Sequence, residues 1–185
     1  MALLIPKKKP WNDIQLDAYG LTGFNSPPSL VASPGNIVSQ VGYASGIPLL
    51  AGQVVTNLWV CVATAAAGTT PTTIKLAITD YAGARKGVTA NVVADAKWTS
   101  TGYKSFALAD PYTVETTDVY EIAFLQDGSW GTTALQLQRV AGATPTPSLN
   151  SRYAYATWGT GQTDIGTSLT FSAANTPLAN WVGVS

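Results

Sequence analysis

The run VVTNLWVCVATAAAGTTP, Val54 to Pro71, constrains this chain more than any other stretch. It is too short and too interrupted for a membrane helix, which needs about 20 consecutive apolar residues. Thr56, Asn57 and Thr64 break it, and it dissolves into Gly68, Thr69, Thr70 and Pro71. A buried helix is disfavoured because Val54, Val55, Thr56, Val60 and Val62 are β-branched and Trp59 is aromatic; such side chains crowd a helix but fit a pleated surface. A strand remains. One parity carries Val54, Thr56, Leu58, Val60 and Val62, and the other carries Val55, Asn57, Trp59, Cys61 and Ala63. Both are largely apolar from Leu58 onward, which predicts a strand covered on both sides.

Beyond this run, short alternating segments separated by turn residues continue along the chain, the pattern of an antiparallel sandwich. IVSQVGYA is a first candidate strand. TIKLAIT sets Ile74, Leu76 and Ile78 against Thr73, Lys75, Ala77 and Thr79, then turns at DYAGARKG. A weaker strand around VTANVV and one around YKSFALA follow. In DVYEIAFLQ, alternation places Tyr120, Ile122 and Phe124 toward the core and Glu121 and Ala123 outward. DGSWG reads as a loop. TALQLQRV opposes Leu135 and Leu137 to Gln136 and Gln138, and after the Pro-rich AGATPTPSLNS come RYAYATWG, SLTF and NWVGVS. No helix of useful length is expected. The fold class predicted is all-β, an antiparallel, jelly-roll-like β-sandwich over residues 37–185.

Residues 1–36 read differently. Pro6, Pro10, Pro27, Pro28 and Pro34 interrupt any period, yet Trp11, Ile14, Leu16, Tyr19, Leu21 and Phe24 offer many apolar contacts. This predicts an extended N-terminal arm, with Trp11, Ile14, Leu16, Tyr19 and Phe24 as anchors on a neighbouring subunit or another assembly partner.

Composition narrows the partners. A chain of 185 residues suits one domain plus such an arm. With 11% charged residues and a formal net charge of +0, its surface is expected to be neutral and polar. Nucleic acid and anionic membranes are usually gripped through basic patches, so neither nucleic-acid binding nor membrane insertion is expected. Lys7, Lys8 and Lys9, the one basic run, read as a solvated stretch. The single cysteine, Cys61, excludes an intrachain disulfide and reads as a small core residue. In MALLIPKKKPW the charges follow the apolar residues, unlike a secretory signal. The expectation is synthesis in a cytoplasm, with exit only by lysis or inside an assembly.

At this point the order of pieces resembles the C-terminal β-sandwich module of phage minor tail proteins, especially those of long-tailed phages of actinobacteria. VVTNL introduces the apolar strand; AITDYAG matches a strand ending in an LYD-x-x-G turn; STGYKSFALAD precedes TDVYEIAFL; and NWVGVS matches the closing segment. The likeness covers about residues 47–185 and is one of strand and turn punctuation. It implies a virion structural protein of the minor tail protein type, a homo-oligomer (a homotrimer) contacting other virion proteins and engaged in host attachment. A capsid decoration protein on the same sandwich is the alternative.

Chemistry is restricted by the absence of histidine. Ser-His-Asp and Cys-His catalysis and His-ligated zinc are excluded, and no phosphate-binding G-x-x-x-x-G-K-[ST] loop is present. A glycan-cleaving enzyme would need two facing carboxylates; Glu115 and Glu121, with Asp110, Asp118 and Asp127 nearby, are the candidates, but turns and an outward strand face are ordinary places for acids. No catalytic residue, metal site or cofactor is therefore assigned, and calcium at Asp127 or Asp164 lacks a recognisable ligand pattern. Aromatics are the better lead. Trp59 and Trp181 lie in strands and read as core. Trp98, Trp130 and Trp158 stand among Gly, Ser and Thr in expected loops, near Tyr103, Tyr153 and Tyr155. These six form a candidate glycan-stacking set, as in a carbohydrate-binding module facing host cell-wall polysaccharide; the competing reading has them closing the ends of the sandwich or filling a subunit interface.

Overall fold

The computed structural model describes residues 20–25, 31–140, 156–173 and 180–185, without the side chains of residues 31–33, 156, 172 and 173. Twelve strands are seen there: β1 (Gly23–Phe24), β2 (Val31–Asn36), β3 (Val41–Leu49), β4 (Val54–Thr64), β5 (Thr73–Thr79), β6 (Arg85–Val88), β7 (Gly102–Thr113), β8 (Asp118–Asp127), β9 (Gln136–Val140), β10 (Ala156–Thr160), β11 (Ser172–Ala173) and β12 (Val182–Val184). The four-residue 3-10 turn Ala96–Thr99 interrupts them. Among the described residues no helix is long and apolar enough to cross a membrane.

The strands form two six-stranded sheets, antiparallel throughout. In the first, β1, β12, β4, β9 and β2 follow one another, and β7 also pairs with β4. Leu58 is paired with Val184 of β12 and with Phe106 of β7, so these two strands flank β4 on opposite edges. The second runs β11-β10-β3-β8-β5-β6. Between the sheets lies the main core, where Leu58, Val60 and Val62 of β4 meet Ile47, Leu76, Ile122 and Phe124. The all-β sandwich expected from alternation is the fold observed.

β4 occupies the apolar run that was read as a strand, and both of its faces are packed as the two apolar parities required: Leu58, Val60 and Val62 belong to the main core, while Cys61 packs with Leu21 and Trp181 on the opposite face.

Three expectations need correction. The candidate strand IVSQVGYA begins, as β3, at Val41 instead of Ile37, because Gln40 adopts a left-handed φ of 60° and is held there. Its amide donates to Gln126 O at 2.7 Å, and its side-chain amide to Asp127 Oδ1 at 2.9 Å. The segment DYAGARKG turns more tightly than expected: Gly83, at φ 91°, allows β6 to start at Arg85 and pair back on β5. The boundary at residue 36 also moves. Phe24 pairs with Gly183, and Val31–Asn36 pair with β9, so the described part of the N-terminal region is built into the first sheet. Proline did not prevent this, because β2 is an edge strand with a register shift between Val31 and Pro34, where a missing N–H is tolerated. Trp11, Ile14, Leu16 and Tyr19 lie outside the described residues.

Candidate functional site

Trp98 sits in the 3-10 turn and is wholly buried. Its ring stacks on Phe106 at 4.4 Å and meets Phe124 edge-on at 6.0 Å, while its indole N–H donates to Val92 O at 2.7 Å. Trp98 thus belongs to the main core, in contact with a strand of each sheet. Trp130 is buried within the same core. Trp158 lies in β10, not in a loop; it donates to Tyr43 O at 3.2 Å and covers Gly42, where a Cβ would overlap the indole ring. None of these three offers a ring face to a sugar, which corrects the expectation for Trp98, Trp130 and Trp158: an indole set among small polar residues was filling space that only the folded partner strands define. Tyr153 and Tyr155 lie outside the described residues.

Tyr103 is different. It is 40% exposed on β7 and meets the buried Trp181 edge-on, ring centroids 4.8 Å apart. Trp181, read as core, is buried, and it packs with the half-buried Trp59 in a second cluster on the face of the first sheet turned away from the main core. The alternation in β4 and β12 carried this signal: Leu58, Val60, Val62, Val182 and Val184 belong to the inter-sheet core, whereas Cys61 and Trp181 cluster with Leu21, and with Phe24, Trp59 and Val140 at the margin. Gly183 makes the close packing possible, since Trp181 Cη2 and Leu21 Cδ1 lie 3.1 and 3.5 Å from where its Cβ would be. Burial pushes the Cys61 thiol up to about 11, against the lowering effect of Lys104. Ser185 ties this region down: its carbonyl accepts from the amides of Thr56 and Asn57 at 2.6 and 2.8 Å, and its hydroxyl accepts from Trp59 Nε1 at 2.9 Å.

The acids are dispersed. Lys86 Nζ lies 3.4 Å from Asp80 and 3.6 Å from Glu115; burial lowers its pKa, but the hydrogen bond and charge of Asp80, with the charge of Glu115, outweigh this and raise it. The hydrogen bond from Lys75, at 2.8 Å, together with its charge, lowers Asp164 despite partial desolvation. Glu121, expected on the outward face of β8, is fully buried. That face is outward from the main core but covered, because Trp158, Ile165 and Leu169 pack over Ala44, Ala77, Ala123 and Leu125. Glu115 is instead 70% exposed at its side chain, so the two glutamates sit in unlike environments and do not form the facing pair that glycoside cleavage requires. Among the described residues, no group of three His, Cys, Asp or Glu is placed to hold a metal ion.

On the outer face of the first sheet Trp181 is buried among the half-buried Phe24 and Trp59, and Tyr103 is exposed at the edge of this aromatic group. No family model, curated protein or solved structure matches the chain.

Proposed function

We propose that this chain is a non-enzymatic structural protein of a phage virion, of the minor tail protein type, working as a homo-oligomer among other virion proteins. The support is the correspondence between the resembling segments and one sandwich: VVTNL opens β4, AITDYAG spans the end of β5 and its turn, STGYKSFALAD covers most of β7, TDVYEIAFL covers most of β8, and NWVGVS holds β12. A surface poor in charge and a chain without histidine accord with assembly and attachment more than with catalysis. Of the aromatics considered for glycan contact, Tyr103 is the described one with substantial exposure, so attachment through sugars would centre on it.

The deciding experiment is to count copies in purified virions by quantitative mass spectrometry and to locate them by immunogold labelling. A handful of copies at the tail is the expected result. Hundreds over the shell would favour the capsid decoration protein built on the same sandwich. Absence from particles would overturn both.

A further inference from the structure

β8 ends at a peptide link whose chemistry the rest of the chain does not repeat. Asp127–Gly128 is the single Asp-Gly pair of the sequence, and Asn-Gly does not occur. In such a link the glycine amide, with no Cβ beside it, can attack the aspartate side chain. The Gly128 nitrogen bonds to Asp127 Cγ, and the protonated carboxyl loses its hydroxyl, which departs with the amide proton as water. A second water then opens the cyclic imide. Entering at Cγ, it restores aspartate; entering at the Asp127 main-chain carbonyl, it breaks the bond from that carbon to the Gly128 nitrogen and leaves the chain running through Cγ, as isoaspartate.

The fold holds both reacting groups. The Gly128 amide donates to Ser39 Oγ at 2.8 Å, and Asp127 Oδ1 accepts from Gln40 Nε2 at 2.9 Å. The adjoining carbonyls are tied as well, that of Asp127 to the Thr72 amide at 2.8 Å and that of Gly128 to Gln126 Nε2 at 3.0 Å. Pro71 Cα, 3.0 Å from the would-be Cβ of Gly128, closes one side. Gln40 is itself fixed in its left-handed conformation, its carbonyl accepting from the Gln162 amide at 3.1 Å. Both Asp127 and Gly128 are half-buried, so water reaches the link.

We propose that Asp127–Gly128 is a latent isoaspartate site, and that Ser39 and Gln40 are positioning residues that keep it closed. Cyclisation needs the Gly128 amide turned off Ser39 and onto Asp127 Cγ, so it proceeds from a locally opened state. An isoaspartyl link puts one more carbon into the main chain at the end of β8. That strand lies between β3 and β5, so conversion strikes an inner strand of the second sheet. The site does not depend on the virion reading, and counting copies in particles leaves it untouched.

The test is to hold the full chain at neutral pH and body temperature for several weeks and to measure isoaspartate at residue 127 by proteolytic mapping with mass spectrometry. Folded wild-type protein should convert at least tenfold more slowly than the same chain in urea. Ser39→Ala should convert about fivefold faster than wild type, the factor by which losing one hydrogen bond raises the open population, while far-UV circular dichroism stays unchanged. Ser39→Thr, which keeps a hydroxyl, should return to the wild-type rate, a rescue that general loosening would not give. Should Ser39→Ala lose its fold, Gln40→Gly decides in its place, since it frees the Asp127 carboxylate and suits the left-handed φ; the same fivefold rise is expected. Conversion at the wild-type rate in the folded variant would overturn the proposal, as would wild-type protein converting as fast folded as in urea.

Discussion

The two outer faces of the sandwich are covered in different ways. On the second sheet, the chain returns over its own strands: Trp158, Ile165 and Leu169 pack on Ala44, Ala77, Ala123 and Leu125. Polar ties hold this cover down, with Arg85 Nη1 donating to Ile165 O at 2.6 Å and Lys75 paired to Asp164 at 2.8 Å. On the first sheet, the cover is aromatic and comes from strands at the margin and from residues next to the N-terminal segment; it ends at Tyr103, which remains 40% exposed. The small floor of Ala44, Ala77 and Ala123 admits a closely packed lid, whereas the Trp59, Cys61 and Trp181 surface supplies bulk of its own. One face is thereby finished within the described fold, and the other keeps an apolar margin.

If both faces are packed as the core is, truncating their central indoles should carry core-sized costs. Trp158→Ala and Trp181→Ala should each destabilise by about 3–5 kcal/mol in urea unfolding. A loss below about 1 kcal/mol at either position would show that its face is loosely covered. Gly42→Val tests the second face from below: its side chain must displace the Trp158 ring, at an expected cost of about 1–3 kcal/mol. The Cys61 thiol tests the first face by pH. Its folded pKa is raised by burial to about 11, above an unfolded value of about 8.5. The contribution is therefore complete below the lower value and is lost as pH climbs toward the upper one. Wild-type stability should fall across that window more steeply than that of Cys61→Ala.

Smaller effects separate the margins. Lys75→Ala breaks a pair whose carboxylate side chain is 61% exposed, so about 0.2–1 kcal/mol is expected, decreasing with added salt. Because Asp164 is lowered in the fold, this contribution is present above the ordinary carboxylate range and fades as pH falls through the depressed value. Tyr103→Ala should shift stability by no more than about 0.5 kcal/mol while weakening adsorption to host cells, if sugar contact centres there. A large loss of stability with normal adsorption would instead make Tyr103 part of the packed aromatic group.

Much of the sandwich was legible in the residues, for reasons that also mark where reading stopped. β5 and β9 alternate cleanly, β4 is apolar on both parities as a strand covered on both sides must be, and Leu135 and Leu137 are buried as their parity required. Alternation reports which residues share a face, but not whether something distant covers it. Glu121 therefore read as solvent-facing, although residues some 40 positions later close over it. Trp98, Trp130 and Trp158 failed for a related reason, since a side chain between turn residues shows no period and its burial depends on Phe106, Phe124 and Gly42 arriving from elsewhere. Pro34 and Gly35 disguised β2, whose edge position removes the usual penalty. The outer aromatic group was present in the parities of β4 and β12, but large aromatics in strands suggest the main core first.

The attachment of Ser185 to β4 has a kinetic consequence. Asn57 and Ser185 are 128 residues apart, yet their backbone groups bond in both directions, and Leu58–Val60 pair with β12 just beside them. One edge of β4 thus remains unpaired until a very long loop has closed, and that closure costs chain entropy before any contact repays it. Refolding should accordingly be slow for a chain of this size, in the millisecond-to-second range typical of domains dominated by non-local pairing. Until then the most apolar strand of the protein presents an open edge to other chains, so the yield of refolded protein should fall as its concentration rises.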